Sequence, residues 1–209
     1  MKLIFVTKAT GLLVLTSVLG ACGTTSTKNE GEKGRENDID LIGEWQDDCR
    51  QIDWLGLRFH KEKLAFNVLG DYLRTITASS KEDCSSLDFT INVGGTIQAL
   101  GDSSTVANSK NINFSVLSAT LRPESDKSAT YLNDVKYCGV SDWAREKSTD
   151  VTNLDCQGTK YQKGDVVFDI YSLSSDKKEL TFGKESFWLD KSKAIDRPSE
   201  LNPKRHFKH

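Results

Sequence analysis

Alternation of apolar and polar residues dominates the chain. Leu55, Leu57 and Phe59 fall on one face, with Gly56 and Arg58 on the other, and Leu64, Phe66 and Val68 repeat the pattern. Phe89, Ile91 and Val93 alternate with Asp88, Thr90 and Asn92; Ile112, Phe114 and Val116 alternate with Asn111, Asn113 and Ser115. Later, Val166, Phe168 and Ile170 alternate with Val167, Asp169 and Tyr171. A period of two sends every second side chain to one face of a strand, so these runs predict strands with one face on a core. Between them lie turn signals: a charged bend at 60–63, Gly70-Asp71, a polar loop at 101–109 and another at 174–178. The pattern predicts about eight strands, at 41–47, 54–60, 63–69, 72–78, 87–99, 110–122, 165–174 and 178–184. Their short links favour antiparallel neighbours in up-and-down order.

One stretch, 123–164, breaks this rhythm. Asp126 or Ser128 is placed to cap a short helix over 129–137, with Leu132, Val135 and Tyr131 facing inward. Trp143 reads as a packing anchor for the rest of the stretch. Gly94-Gly95 sits inside a strand run and marks a bulge or bend. The expected fold is therefore all-β: an antiparallel up-and-down barrel of about eight strands, with an insertion at 123–164.

The first residues follow a different logic. Lys2 and Lys8 precede a charge-free apolar run, Ala9 to Ala21, too short to span a bilayer but right for a secretory signal. Residues 23–38 contain no aliphatic or aromatic side chain and cannot bury a core. Sixteen flexible residues span roughly 22 Å root-mean-square. Segment 1–21 is thus expected to be a signal peptide, and 22–38 a tether. A domain at 39–190 follows, then a polar, locally basic tail at 191–209 that carries Arg197, Lys204, Arg205 and Lys208.

Composition narrows the function. With 28 basic residues against 30 acidic ones, the net charge is −2, which disfavours a nucleic-acid surface. Five cysteines are present. Setting Cys22 aside, Cys49, Cys84, Cys138 and Cys156 form an even set in an exported chain, which implies two disulfides. Of the three pairings, Cys49–Cys84 and Cys138–Cys156 close the shortest loops. No CxxC or finger spacing supports zinc, so neither a metal nor a cofactor is expected. The three histidines are His60, His206 and His209, and no nucleophile elbow, HExxH or phosphate loop accompanies them. The expectation is a protein that is not an enzyme.

Two resemblances add to this reading. Leu19-Gly20-Ala21-Cys22 resembles the lipobox of bacterial lipoproteins. The resemblance implies diacylglycerol on the Cys22 sulfur, cleavage before Cys22, and anchorage in a bacterial cell envelope through acyl chains. Gly at position 23 favours the outer membrane by analogy with enteric bacteria. Gly43-Glu44-Trp45 resembles the GxW motif of lipocalins, in which the tryptophan plugs the closed end of an eight-stranded barrel. On that resemblance Arg197 would stand in for the late arginine over the tryptophan. The interior would then be lined by Trp45, Phe59, Phe66, Ile91, Phe114 and Phe168. Two functions remain open: a barrel binding a small apolar ligand or lipid, and an interaction or structural lipoprotein with a filled core, whose partner would be an envelope protein. Large residues at the alternating positions lean toward the second.

Overall fold

The computed structural model of the protein describes residues 38–54, 57–184, 195 and 197–209. The expected signal peptide, Cys22, the tether up to residue 37 and the expected domain boundary at 190 lie outside them. Twelve strands and one helix are named in chain order: β1 (Gly43–Asp47), β2 (Arg50–Trp54), β3 (Leu57–Phe66), β4 (Asp71–Ser79), β5 (Leu87–Asp102), β6 (Lys110–Pro123), α1 (Asp126–Asp134), β7 (Thr149–Asp150), β8 (Asp155–Cys156), β9 (Thr159–Lys160), β10 (Val166–Leu173), β11 (Glu179–Gly183) and β12 (Leu201–Lys208). Eight of them close an antiparallel barrel in the order β1-β12-β11-β10-β6-β5-β4-β3, with β3 returning to β1. Closure pairs each of these eight strands on both sides.

Alternation decides which face points inward. Tyr72, Arg74, Ile76 and Ala78 of β4 sit opposite Phe66, Leu64, Glu62 and His60 of β3. On β5, Phe89, Ile91 and Val93 sit opposite Ala78, Ile76 and Arg74. The register between β5 and β6 slips at Gly94/Gly95, as a bulge there predicts. A Cβ on Gly95 would lie 1.8 Å from the Ser115 carbonyl oxygen, so only glycine fits.

Three expectations about elements are corrected. The charged run 60–63 is not a bend but the middle of the continuous strand β3, because Glu62 points inward to the buried Arg74 and the partly buried Arg50, which satisfy it. The separate strands expected at 54–60 and 63–69 therefore merge, and a short β2 precedes them. The tail is not a surface segment: Leu201–Lys208 forms β12, which pairs with β11 and β1 and closes the barrel. Helix α1 begins earlier than expected, because Ser125 rather than Asp126 or Ser128 caps it by accepting from the Ser128 amide; Leu132 is buried as expected, whereas Val135 and Tyr131 are exposed.

Both expected disulfides form. Cys49–Cys84 ties the β1–β2 corner to the β4–β5 loop, and Cys138–Cys156 staples the insertion. Closing loops of 35 and 18 residues restricts the unfolded chain. In the chain-entropy account each closure stabilises by about 3–4 kcal/mol.

Candidate functional site

The barrel interior is built in three layers. At the closed end, Trp45, Leu64, Phe66, Tyr72, Ile97, Ile112, Phe114, Tyr171, Leu180, Phe182 and Phe207 form one apolar cluster. A 3-10 helix, Ile39–Leu41, crosses beneath it; Leu41 is fully buried, and its carbonyl accepts from the Trp45 indole N–H at 2.8 Å. Trp45 therefore plugs this end. The residue lying against its ring is His209, edge-on at 4.9 Å, and not Arg197. Arg197 lies instead on the outer wall over Phe168 and donates to the carbonyl oxygens of Ile112 and Asp169.

At the mouth a second cluster joins Ile76, Ala78, Phe89, Ile91, Val116 and Leu121 of the barrel to Ala129, Leu132, Tyr137, Trp143, Val151 and Tyr161 of the insertion. The insertion is also part of the wall. Where β6 runs past the start of β10, β7 takes over its edge, pairing Thr149 and Asp150 with Leu121 and Thr120. The Val151 amide donates to the Ala119 carbonyl at 2.9 Å. Asn133 of α1 clamps both backbone groups of Trp143, at 2.8 and 3.0 Å.

Between the clusters lies a charged layer. Arg74 donates from Nε and Nη2 to Glu62 Oε2, at 2.8 and 2.5 Å. Arg50 donates to Glu62 Oε1 through Nη2 and to Asp47 Oδ2 through Nε. Asp47 also accepts from the Glu62 amide. His60 Nε2 lies 3.2 Å from Glu62 Oε1, so an ionised Glu62 fixes the proton on Nε2. Arg205 donates to Asp169 Oδ2 at 3.1 Å and to the Gly183 carbonyl at 3.0 Å, with its guanidinium over the Phe182 ring. Glu62, Arg74 and Asp169 expose 1% or less of their surface.

Burial would raise the Glu62 carboxyl, but the Arg74 charge, the His60 hydrogen bond and the charges of Arg50 and Arg205 hold it well below the usual carboxylate range. Asp47 goes the other way: burial and the neighbouring Glu62 charge raise it, and Arg50 only partly offsets them. Burial also pushes the Tyr72 hydroxyl up to about 12.

Asp47, His60 and Glu62 bring ligand atoms within 4.8 Å of one another, a spacing that would suit a metal ion. The surroundings do not. Arg50, Arg74 and Arg205 already match the charges of Asp47, Glu62 and Asp169. A cation there would face three guanidiniums, so the trio reads as an ion network and not as a metal centre. Outside the barrel, an open groove of about 630 Å³ is lined by Glu44, Gln46, Lys61, Lys63, Lys208 and others. Its charges pair across it, Glu44 with Lys63 at 2.7 Å and Asp48 with Lys208 at 3.3 Å.

The six expected lining residues divide. Trp45, Phe66, Ile91 and Phe114 point inward and are buried in the two clusters. Phe59 and Phe168 do not. Phe59 shares the outward parity of Lys61 and Lys63 on β3, and Phe168 faces out beneath Arg197. On β10 the inward set is Val167, Asp169 and Tyr171, opposite Phe114, Ile112 and Lys110. The charged layer itself was not foreseen. Its signal was parity continued through charge: Glu62 is in step with Leu64 and Phe66, Arg74 with Tyr72 and Ile76, and Arg205 with Phe207. Neither the protein-family models nor the curated proteins compared with the chain match it.

Proposed function

We propose that this is a non-enzymatic lipoprotein of a bacterial envelope, anchored through Cys22, whose barrel is a filled scaffold for interaction with other envelope components. One observation carries the reading. The inward side chains keep almost no accessible surface: Trp45, Arg74, Ile112, Phe182 and Phe207 are at 0%, and Ile91 and Phe114 at 1%. A side chain with no accessible surface borders no water-sized void, so an occupant of the barrel would have to displace packed atoms. The middle layer is ionic, which suits an apolar cargo poorly. His60 is buried at 1% exposure, out of reach of a substrate in solvent, which supports a non-catalytic role for it.

A second reading, in which a lipocalin-like barrel carries an apolar ligand, draws on the tryptophan-plugged end and the meander topology. It requires the insertion to swing away from the mouth. Extraction of the purified mature protein with organic solvent, followed by mass spectrometry, separates the two. The filled scaffold yields no stoichiometric small molecule. A defined lipid or apolar compound at one per chain would establish the carrier instead.

A further inference from the structure

We infer that the closed end of the barrel is a membrane-docking surface, with Val68, Leu69 and Ile39 entering the lipid. The inference rests on the lipid-anchor reading of Cys22 and adds to it an orientation of the domain on the bilayer.

Val68 and Leu69 form the tip of the β3–β4 turn, and each exposes 70% of its surface; Ile39 exposes 76%. Of the other large aliphatics among the described residues, Ile195 exposes 88%, and Leu73, Leu100 and Leu117 on the barrel wall expose 46%, 45% and 46%. Scattered exposed aliphatics are ordinary. These three are not scattered. The pairing of Gly43 with Phe66 makes the chain before β1 and the turn after β3 leave the barrel at the same end.

The turn is also rigid. Asn67 Oδ1 accepts from the amides of Leu69 and Asp71, at 2.9 and 3.0 Å, and its Nδ2 donates to Asp71. The Gly70 amide returns to the Asn67 carbonyl, with Gly70 at φ +81°. Tight turns usually carry polar tips. Here the side chain of Asn67 sets the turn, and Val68 and Leu69 are held with most of their surface in solvent.

The chain from Cys22 enters the domain at this end. Asp38 is bound there by Lys110 at 2.6 Å and Tyr171 at 2.7 Å, and Asp40 by Lys177 at 2.8 Å. These cations are paired with acids of the same end, so the surface offers apolar contact and not a basic patch for anionic lipid. Few aliphatic side chains bind a bilayer weakly. A sixteen-residue tether makes the contact intramolecular, which is the condition under which a weak contact becomes populated.

The test uses the full mature chain, acylated by its host and reconstituted into vesicles of phosphatidylethanolamine with a minor share of phosphatidylglycerol. With Cys22 acylated and the other four cysteines in disulfides, Leu69→Cys supplies a single thiol for a polarity-sensitive dye. Lys147→Cys, exposed in the insertion, is the control. Docking gives a blue-shifted dye at 69, quenched by spin-labelled lipid, and a solvated dye at 147. A solvated dye at both positions, or a shifted dye at both, overturns it. With the dye moved to Ile39→Cys, Val68→Ser/Leu69→Ser should lose the shift while the protein stays with the vesicles; a retained shift also counts against docking. Independently, Cys22→Ser should move the protein from the membrane fraction to the soluble fraction of the host. Retention in membranes would remove the anchor reading, and the tether argument with it, whatever the dye reports.

Discussion

Glu62 concentrates the physics of the barrel interior. It has no contact with water, and both its oxygens are committed to guanidiniums. Such a pair gains little over an apolar core, yet removing one partner strands the other charge. Glu62→Gln leaves Arg74 and Arg50 facing a neutral amide, and is expected to cost about 3–5 kcal/mol at pH 7. Urea unfolding reads this, and a variant as stable as the parent would contradict the ion network. The pH dependence has a definite sign. Because the folded Glu62 carboxyl lies below its unfolded value, its contribution is fully present above about 4.3 and is lost as pH falls toward the folded value. Asp47, raised on folding, acts oppositely: its contribution exists below about 3.9 and is lost as pH rises through the folded value. The gap between parent and Glu62→Gln should therefore narrow in acid, where the unfolded parent takes up the proton. None of this was legible at the residue scale. Lys61-Glu62-Lys63 looks like solvated surface, because hydropathy scores Glu62 without its distant partners Arg74 and Arg50.

At the scale of elements, legibility follows the same rule. Strands whose inward residues are all apolar, such as β5 and β6, were readable within a few residues. The disulfide pairing was readable too, because short loops decide it. Strand β12 was not readable: its inward residues include the buried Arg205, and Pro203 and Lys204 lie exposed on the same strand. The proline is tolerated because Pro203 lies beyond the stretch of β12 that pairs with β1. Phe207 discriminates sharply between strand and tail. It is fully buried, opposite Asp47 and Leu180 and edge-on to Phe182 at 5.7 Å. Phe207→Ala should cost about 3–5 kcal/mol, as for a core aromatic. A surface tail would change stability by less than about 0.5 kcal/mol. Thermal or urea unfolding distinguishes these cleanly. The same strand explains why Phe168 was misassigned. Reading Val166, Phe168 and Ile170 as the inner face assumes that the more apolar set points in. Asp169 points in instead because β12 delivers Arg205 to meet it.

For the whole molecule, the question is whether the insertion is a lid or a wall. A lid would close over a finished barrel and open without unfolding it. The contacts describe a wall: β7 occupies the edge of β6, the Thr152 hydroxyl accepts from the Ala119 amide at 2.9 Å, and Trp143 and Tyr161 share a core with Ile91 and Leu121. Removing these contacts would uncover the apolar mouth and the edge of β6 together. Local opening should therefore be as costly as global unfolding. Native-state hydrogen exchange measures this directly. The amide of Val151, bonded across to Ala119, should exchange with the same free energy as that of Ile91 in the middle of the β5 ladder, and with the same denaturant dependence. A Val151 amide that exchanges through a smaller opening, insensitive to denaturant, would mark a hinged lid. That result would restore the carrier reading, since a lid that opens below the global free energy gives an apolar ligand its path into the barrel. Equal protection would tie barrel and insertion into one cooperative unit, leaving the outer surface to meet partners.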